Sequence, residues 1–393
     1  MPQRIAIITQ DPINRGGVLR LVRYIYDQVL ANGDEPTVLH YASYKRWPGL
    51  SASLLNPARG KVIVKPRKKR YEFEGMNAVA IGTSFPEFEP NRLSTNQLWH
   101  SELKKHDRFI LVTGSAHTGF MLAQEGVRFT AWVSSIVEDD RKERLKRQNT
   151  LPAKAEKLLL GAIKTKELGV LRSASRILAV SDDTAASLKR LEPFIAAEIW
   201  PFPVDTDLFA PDANVEVQPY LAFVGRANDP RKDLRLFLRA LLHVREIMPN
   251  VSADIVSKEP AWYRREEEWR TLAGNVRFHS AITDADLVNI YRRSTVMLIT
   301  SQQEGLSIAG LEAMACGTPV ISTRCGGPEM FIRHGVNGYL GESDGDDLGQ
   351  KALYLLEDKM ARNEMSVQAR ETVEEGFSRK HWDSKFRSLV QEL

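Results

Sequence analysis

The sequence predicts an α/β protein made of two doubly wound domains. Three observations point to this. Short apolar, β-branched runs alternate with segments of helical periodicity through both halves of the chain. At 393 residues the chain exceeds what one hydrophobic core organises and suits two domains of roughly 150–200 residues. A proline-rich polar stretch between Pro201 and Pro219 interrupts the pattern near the middle.

Arg4–Thr9 reads as a buried strand. After a polar loop, Gly16-Gly17 leads into Val18–Leu30, where Val18, Leu21, Val22, Ile25, Val29 and Leu30 recur at helical spacing. Asn32-Gly33 ends that helix and Thr37–His40 is the next strand. A glycine pair between first strand and first helix suits a nucleotide-type domain, although tight-turn geometry explains it as readily. The pattern is not Gly-x-Gly-x-x-Gly, so the dinucleotide fingerprint is absent. Residues 41–105 yield no element assignment. Phe109–Thr113 is then a strand, followed by a loop through His117 and a helix to about Gln124. Phe129–Val133 is a strand, Ala153–Arg172 a long helix, and Arg176–Val180 a strand with Ser181 capping a helix to Leu191.

The linker is expected at 208–218, which makes residues 1–210 the first domain and 219–376 the second, with a C-terminal helix in 377–393 packing back toward the first. Tyr220–Gly225, Val251–Val256, Val276–His279 and Thr295–Ile299 read as strands of the second domain. Helical segments are expected at Asp233–Met248, around 261–273, and at 284–293. Two such domains leave a cleft between them, with ligands at strand C-terminal ends.

The most informative stretch runs from Glu304 to Ser322. Ser307 is placed to cap a helix beginning at Ile308, Gly317 to end it, and Pro319 to forbid its continuation before the strand Val320–Ser322. Glu304 lies in the loop before the helix and Glu312 inside it. A carboxylate beside free N–H groups at a helix N-terminus suits a ligand carrying both phosphate and hydroxyls. Val224-Gly225-Arg226 ends another strand, and Lys232 stands just before a helix. Together Arg226 and Lys232 can neutralise a diphosphate; alone they would read as two surface cations. Thr323-Arg324-Cys325-Gly326-Gly327-Pro328-Glu329, after the next strand, forms a third, glycine-rich loop.

Composition narrows the class. The chain is 43% apolar and 26% charged, as soluble proteins are, with no stretch near a membrane span and no secretory leader in residues 1–30. Cys316 and Cys325 lack metal-ligand spacing, and both suit a reduced, cytosolic core; no metal is expected. The net charge of +4 hides an asymmetry: residues 1–210 hold 31 Lys and Arg against 23 Asp and Glu. The excess sits in Lys61–Arg70 and Arg141–Lys166. It reads either as solvated loops and a helix face or as a surface for anionic lipid or an anionic acceptor. No nucleic-acid motif accompanies it.

Phe223-Val224-Gly225-Arg226 with Lys232, Glu304-Gly305-Leu306 with Glu312–Val320, Gly326-Gly327 and Gly335–Gly338 together resemble the retaining glycosyltransferases of family four. The two glutamates stand with seven residues between them, as in that family's signature. The resemblance covers residues 220–340 closely. In 1–210 it rests on Gly16-Gly17, the following helix and Arg176–Ser181. It implies the GT-B fold, two Rossmann-like domains facing across a cleft, and transfer of a sugar from a nucleotide donor, UDP- or GDP-linked, to a hydroxyl acceptor such as a glycan or glycolipid. No cofactor or metal is implied.

Carried over, the resemblance assigns donor binding to Gly16, Gly17, Gly225, Arg226, Lys232, Glu304, Gly305, Leu306, Ser307 and Glu312. Arg226 and Lys232 would hold the diphosphate, Glu312 the ribose hydroxyls, and Glu304 would lie by the donor sugar. Family members commonly carry a histidine corresponding to about Thr130–Ser135, where this chain has Ala131-Trp132-Val133-Ser134. His117 is the nearest substitute as a catalytic residue, or else it caps its own helix. Asp233 and Pro203 also stand where the family often has glycine. A nucleotide-sugar epimerase, a phosphorylase and a catalytically silent binding protein are the alternatives on the same fold. The expected place of work is the cytoplasm, at the inner face of the membrane.

Overall fold

A computed structural model describes residues 2–12, 16–44, 46–54, 65–87, 89–147 and 151–392. The chain divides into two compact units, Met1–Pro201 with Asp383–Leu393, and Phe202–Trp382. The division falls at Pro201, before the stretch 208–218 where the sequence suggested a linker. Residues 202–217 group with the second unit because its own atoms hold them: Arg370 donates to the carbonyls of Thr206 and Phe209, and Arg292 to that of Ala210.

The first unit is built on β1 (Arg4–Thr9), β2 (Glu35–Tyr41), β3 (Lys68–Phe73), β4 (Met76–Ile81), β5 (Arg108–Thr113), β6 (Thr130–Val133), β7 (Arg176–Ala179) and β8 (Ala197–Ile199). They form one sheet in the order β3-β4-β2-β1-β5-β6-β7-β8, parallel except for the β3–β4 hairpin. The near-continuous apolar sequence of β1 follows from burial on both faces. Helix Gly17–Ala31 and helix Asp182–Leu191 lie where the periodicity puts them, and Ser181 Oγ accepts the cap bond from Thr184 N. The segment after β5 is a 3-10 turn, Ala116–Gly119, followed by the short helix Phe120–Glu125.

The second unit comprises β9 (Gln218–Val224), β10 (Ser252–Val256), β11 (Val276–His279), β12 (Ser294–Ile299), β13 (Val320–Thr323) and β14 (Gly338–Gly341). All pairs are parallel, in the order β11-β10-β9-β12-β13-β14. The order reverses direction between β9 and β12, which makes their C-terminal ends the topological switch point. Helix Leu234–Ile247 packs Phe237, Leu238 and Leu241 into the core. The helix expected around 261–273 is instead turn followed by a 3-10 helix, Glu267–Leu272, with Trp269 and Leu272 buried. Burial of those two side chains needs only one tight turn.

The hairpin β3–β4 shows what became of the first basic run. Its residues 61–64 lie outside the described residues, as do 148–150 of the second run. Lys68 and Arg70 leave the edge strand to reach Glu102, whose side chain is fully buried; Lys68 Nζ stands 2.7 Å away and Lys105 Nζ 2.9 Å. In the second run Arg141 is buried between Glu89 and Glu156, and Lys164 pairs with Glu138. Four of these cations, Lys68, Arg70, Arg141 and Lys164, are thus paired within the first unit.

Burial pushes the Glu102 carboxyl up, but hydrogen bonds from Lys68 and Lys105 outweigh it and hold the group below the usual carboxylate range. A depressed carboxylate stabilises the fold above its unfolded pKa and loses that effect as pH falls through its folded value. Glu102→Gln should therefore cost about 1–3 kcal/mol at neutral pH. The deficit should begin to shrink as the pH falls below about 4, the ordinary glutamate value, and close only once the folded wild-type carboxyl, held below that range, is itself protonated. Urea unfolding of both proteins across pH checks this.

Candidate functional site

Three loops meet at the C-terminal ends of β9, β12 and β13. The first runs from Gly225 to Asp233. Asp229 organises it, accepting from Arg231 N at 3.1 Å, from Arg226 Nη2 at 2.7 Å and from Arg231 Nη2 at 3.0 Å. Burial raises the Asp229 carboxyl, but Arg231's hydrogen bond and the charges of Arg231 and Arg226 bring it down to about 2. The Arg226 side chain is 57% exposed. The loop closes with a 3-10 turn, Pro230–Lys232, and Asp233 in left-handed geometry at φ 40° caps the following helix.

The second loop, Thr300–Ser307, is tied to both of its neighbours. Gln302 N donates to Arg231 O at 2.7 Å, and Thr300 Oγ1 donates to the carbonyls of Lys232 and Asp233 at 3.0 and 3.1 Å. On the other side Glu304 N donates to Cys325 O at 2.8 Å and Gly327 N to Glu304 O at 2.9 Å. Thr323 Oγ1 donates to Ser301 O at 2.5 Å. Inside this frame the Lys232 ammonium pairs with Glu304 Oε1, and Ser301 Oγ donates to the same oxygen at 2.5 Å. Among the described residues no hydrogen bond reaches Glu304 Oε2. The Glu304 side chain is 11% exposed and that of Lys232 21%, so the pair is largely removed from water and mutually dependent.

Ser307 departs from its expected role. It stands at the N-cap position of helix Ile308–Ala315, but its hydroxyl makes no cap, and its backbone is left-handed at φ 67°. A non-glycine residue held there is strained and persists because its surroundings hold it in place. The N–H groups of Leu306, Ser307, Ile308 and Ala309 make no backbone hydrogen bond. Unpaired donors at the positive end of a helix favour an anion. Gly317 at φ 77° ends the helix, as expected.

Lys232 and Glu304 thus come together directly, with Gly225, Gly305, Leu306 and Ser307 in the same set of loops. Arg226 bonds to Asp229 and not to Glu304. Glu312 is 3% exposed inside its helix, where Tyr291 Oη donates to its Oε2 at 3.3 Å. Ser301 and Asp229 were missed from sequence, while Thr300 and Thr323 were read only as the end of a strand and the start of the glycine-rich loop. The polar run Thr300-Ser301-Gln302-Gln303, directly after a buried strand, was the available signal for Ser301.

The remaining candidates belong to the first unit. Its switch point lies between β1 and β5, with Gly16 and Gly17 in the connection after β1 and His117 in the turn after β5. Gly16 is extended, and a Cβ there would meet nothing within 4 Å. His117 does not cap a helix. It is 6% exposed, with Nδ1 3.0 Å from Ser115 Oγ and Nε2 3.5 Å from the Glu89 carboxylate, which Arg141 grips at 2.6 and 3.0 Å. Nearby, Glu167 accepts from Val137 N and Ala116 N, yet burial still raises it to about 8. Trp132, in the segment where a histidine was looked for, is buried, with Nε1 donating to Trp200 O at 2.9 Å and its ring stacked on Phe386.

Among the described residues no group of three His, Cys, Asp or Glu side chains could hold a metal, and no helix is long and apolar enough to cross a membrane.

Gly327 shows how closely the second and third loops approach. A Cβ on it would lie 2.4 Å from Leu306 Cα and 2.5 Å from Gly305 O. Gly327→Ala must therefore push Gly305–Leu306 aside. It should destabilise the protein by about 1–3 kcal/mol and speed amide exchange at residues 305–309, leaving β1 and β5 unchanged. Hydrogen-exchange mass spectrometry reads both regions in one experiment.

The family model for glycosyl transferases group 1 matches residues 218–358, the span that holds all three loops. N-acetyl-alpha-D-glucosaminyl L-malate synthase of Bacillus anthracis is 35% identical over 109 residues, 28% of this chain and 29% of that protein. D-inositol 3-phosphate glycosyltransferase of Thermobifida fusca is 31% identical over 199 residues, 44% of each. The chain thus spans less than half the length of either relative. In structure, Anabaena HepE in complex with UDP-glucose is similar with a TM-score of 0.72 over 100% of both chains at 16% identity, a likeness of fold. With its two Rossmann-like units the chain has the GT-B fold, and its residues 218–358 are similar to the glycosyl transferases group 1.

Proposed function

We propose that this protein is a retaining glycosyltransferase that moves a sugar from a nucleotide-sugar donor to a hydroxyl acceptor. The observation that carries this is the Lys232–Glu304 pair at the switch point of β9 and β12, within the segment the family model matches. A cation, a carboxylate with one open oxygen and a row of free backbone N–H groups suit a ligand that joins a diphosphate to a polyol. Arg226 and Lys232 would neutralise the charge that develops on the departing diphosphate, so that electrostatic stabilisation needs no metal. Glu304 Oε2 would accept from a donor-sugar hydroxyl, and Glu312 from the ribose. Retention would follow from attack on the face the leaving phosphate occupies, that phosphate taking the acceptor's proton. His117 is assigned to the acceptor's reacting hydroxyl.

HepE binds UDP-glucose, which supports a UDP-linked donor as the first choice, with GDP-linked sugars second. The acceptor is proposed to be a glycan or glycolipid of the cell surface, met in the cytoplasm at the inner membrane face. The basic excess of residues 1–210 supports an anionic acceptor, and the two relatives' names carry malate and inositol phosphate.

Incubation with a panel of UDP- and GDP-sugars, with and without EDTA, should release nucleoside diphosphate slowly and independently of chelator. Tight binding with no turnover under any acceptor would instead identify a silent binding protein. Glu312→Gln should weaken nucleotide affinity about tenfold or more, the loss of charge-assisted hydrogen bonds, while thermal unfolding stays near wild type. Unchanged affinity would remove Glu312 from the site.

A further inference from the structure

The function proposed above leaves Lys232 with two duties. It pairs with Glu304, and it is also the cation nearest in role to the donor diphosphate. An ammonium has three donors on one point charge. A diphosphate entering this site would compete with Glu304 for it. Glu304 would then keep its orientation only if another group held Oε1.

Ser301 is that group. We infer that Ser301 is the positioning residue that keeps Glu304 aimed at the donor sugar once Lys232 turns to the diphosphate. Its hydroxyl donates to Glu304 Oε1 at 2.5 Å, and Ser301 is 3% exposed. Its own backbone is pinned from the next strand by Thr323 Oγ1, which donates to Ser301 O at 2.5 Å. Thr300 beside it fixes the carbonyls of Lys232 and Asp233. If the ammonium turns away, only the long Lys232 side chain need move, because Thr300, Gln302 and Thr323 hold the backbone on either side of Ser301 and at its own carbonyl. With Oε1 occupied by a neutral donor, Oε2 stays charged, open and directed, a preorganised acceptor for one sugar hydroxyl.

This gives Ser301 a signature different from a residue that merely supports the loop. The nucleotide diphosphate touches Lys232, Arg226 and the free N–H groups, none of which depends on the Ser301 hydroxyl. Only the sugar depends on it. The inference rests on the proposed transferase function, and its test separates the two failures.

The experiment compares wild type, Ser301→Ala and Ser301→Thr for affinity to UDP and to UDP-glucose by calorimetry, and for the kcat of UDP release. Ser301→Ala should bind UDP within about twofold of wild type, lose the extra affinity that the glucosyl group confers, and turn over about ten- to hundredfold more slowly, the range for a hydrogen bond to a charged group. Ser301→Thr, which keeps the hydroxyl, should recover most of both. Equal loss of UDP and UDP-glucose affinity in Ser301→Ala would show a structural role and overturn the assignment. Wild-type behaviour in Ser301→Ala would overturn it as well. If wild type binds neither UDP nor any sugar nucleotide, the transferase function itself fails and the role of Ser301 with it.

Discussion

The ion pair between Lys232 and Glu304 is the contact on which the second unit's site depends. Two opposite charges largely withdrawn from water are expensive to bury and are tolerated when each satisfies the other. The fold meets that condition by bringing two loops that are 72 residues apart in sequence to adjacent strand ends. The strand order places β9 beside β12, the one place in that sheet where successive connections diverge and leave a crevice. The chemistry of the site is thus a consequence of topology before it is a consequence of any single side chain.

Around the pair, backbone and hydroxyl bonds do most of the holding. Thr300, Ser301 and Thr323 are short side chains whose hydroxyls bridge from one loop to the next. Gly327 lets Gly305 and Leu306 come within a distance that no side chain allows. Ser307, held in left-handed geometry without a cap, leaves the start of its helix open. The loops are rigid where they meet one another and unsatisfied where a ligand would lie, which is the division of labour a binding site requires.

Much of this was legible in the sequence. Buried parallel strands announce themselves as β-branched runs, so β1, β5, β9, β12 and β13 were found within a residue or two of their bounds. Helices with a strong apolar face, such as Gly17–Ala31 and Leu234–Ile247, were equally plain. The hairpin β3–β4 was not, because an edge strand carrying Lys68, Lys69 and Arg70 looks like a charged loop until Glu102 is seen to receive two of the charges. Glu304 and Lys232 could be singled out from motif spacing, but their direct contact could not, nor could the bond from Ser301 to Glu304. Hydroxyl side chains carry little periodic signal, and which carbonyl or carboxylate they meet is decided by tertiary approach. His117 illustrates the converse: its sequence position permitted a helix cap, and burial against Ser115 and Glu89 replaced that role.

The central claim is that the loops gathered by Lys232 and Glu304 receive a sugar nucleotide. The most direct measurement is a crystal structure of the protein with UDP-glucose bound. The account predicts the diphosphate within hydrogen-bond distance of Lys232, Arg226 and the Leu306–Ala309 N–H groups, with a glucosyl hydroxyl on Glu304 Oε2. A nucleotide seated elsewhere, with the Lys232–Glu304 pair untouched and solvent in its loops, would contradict it.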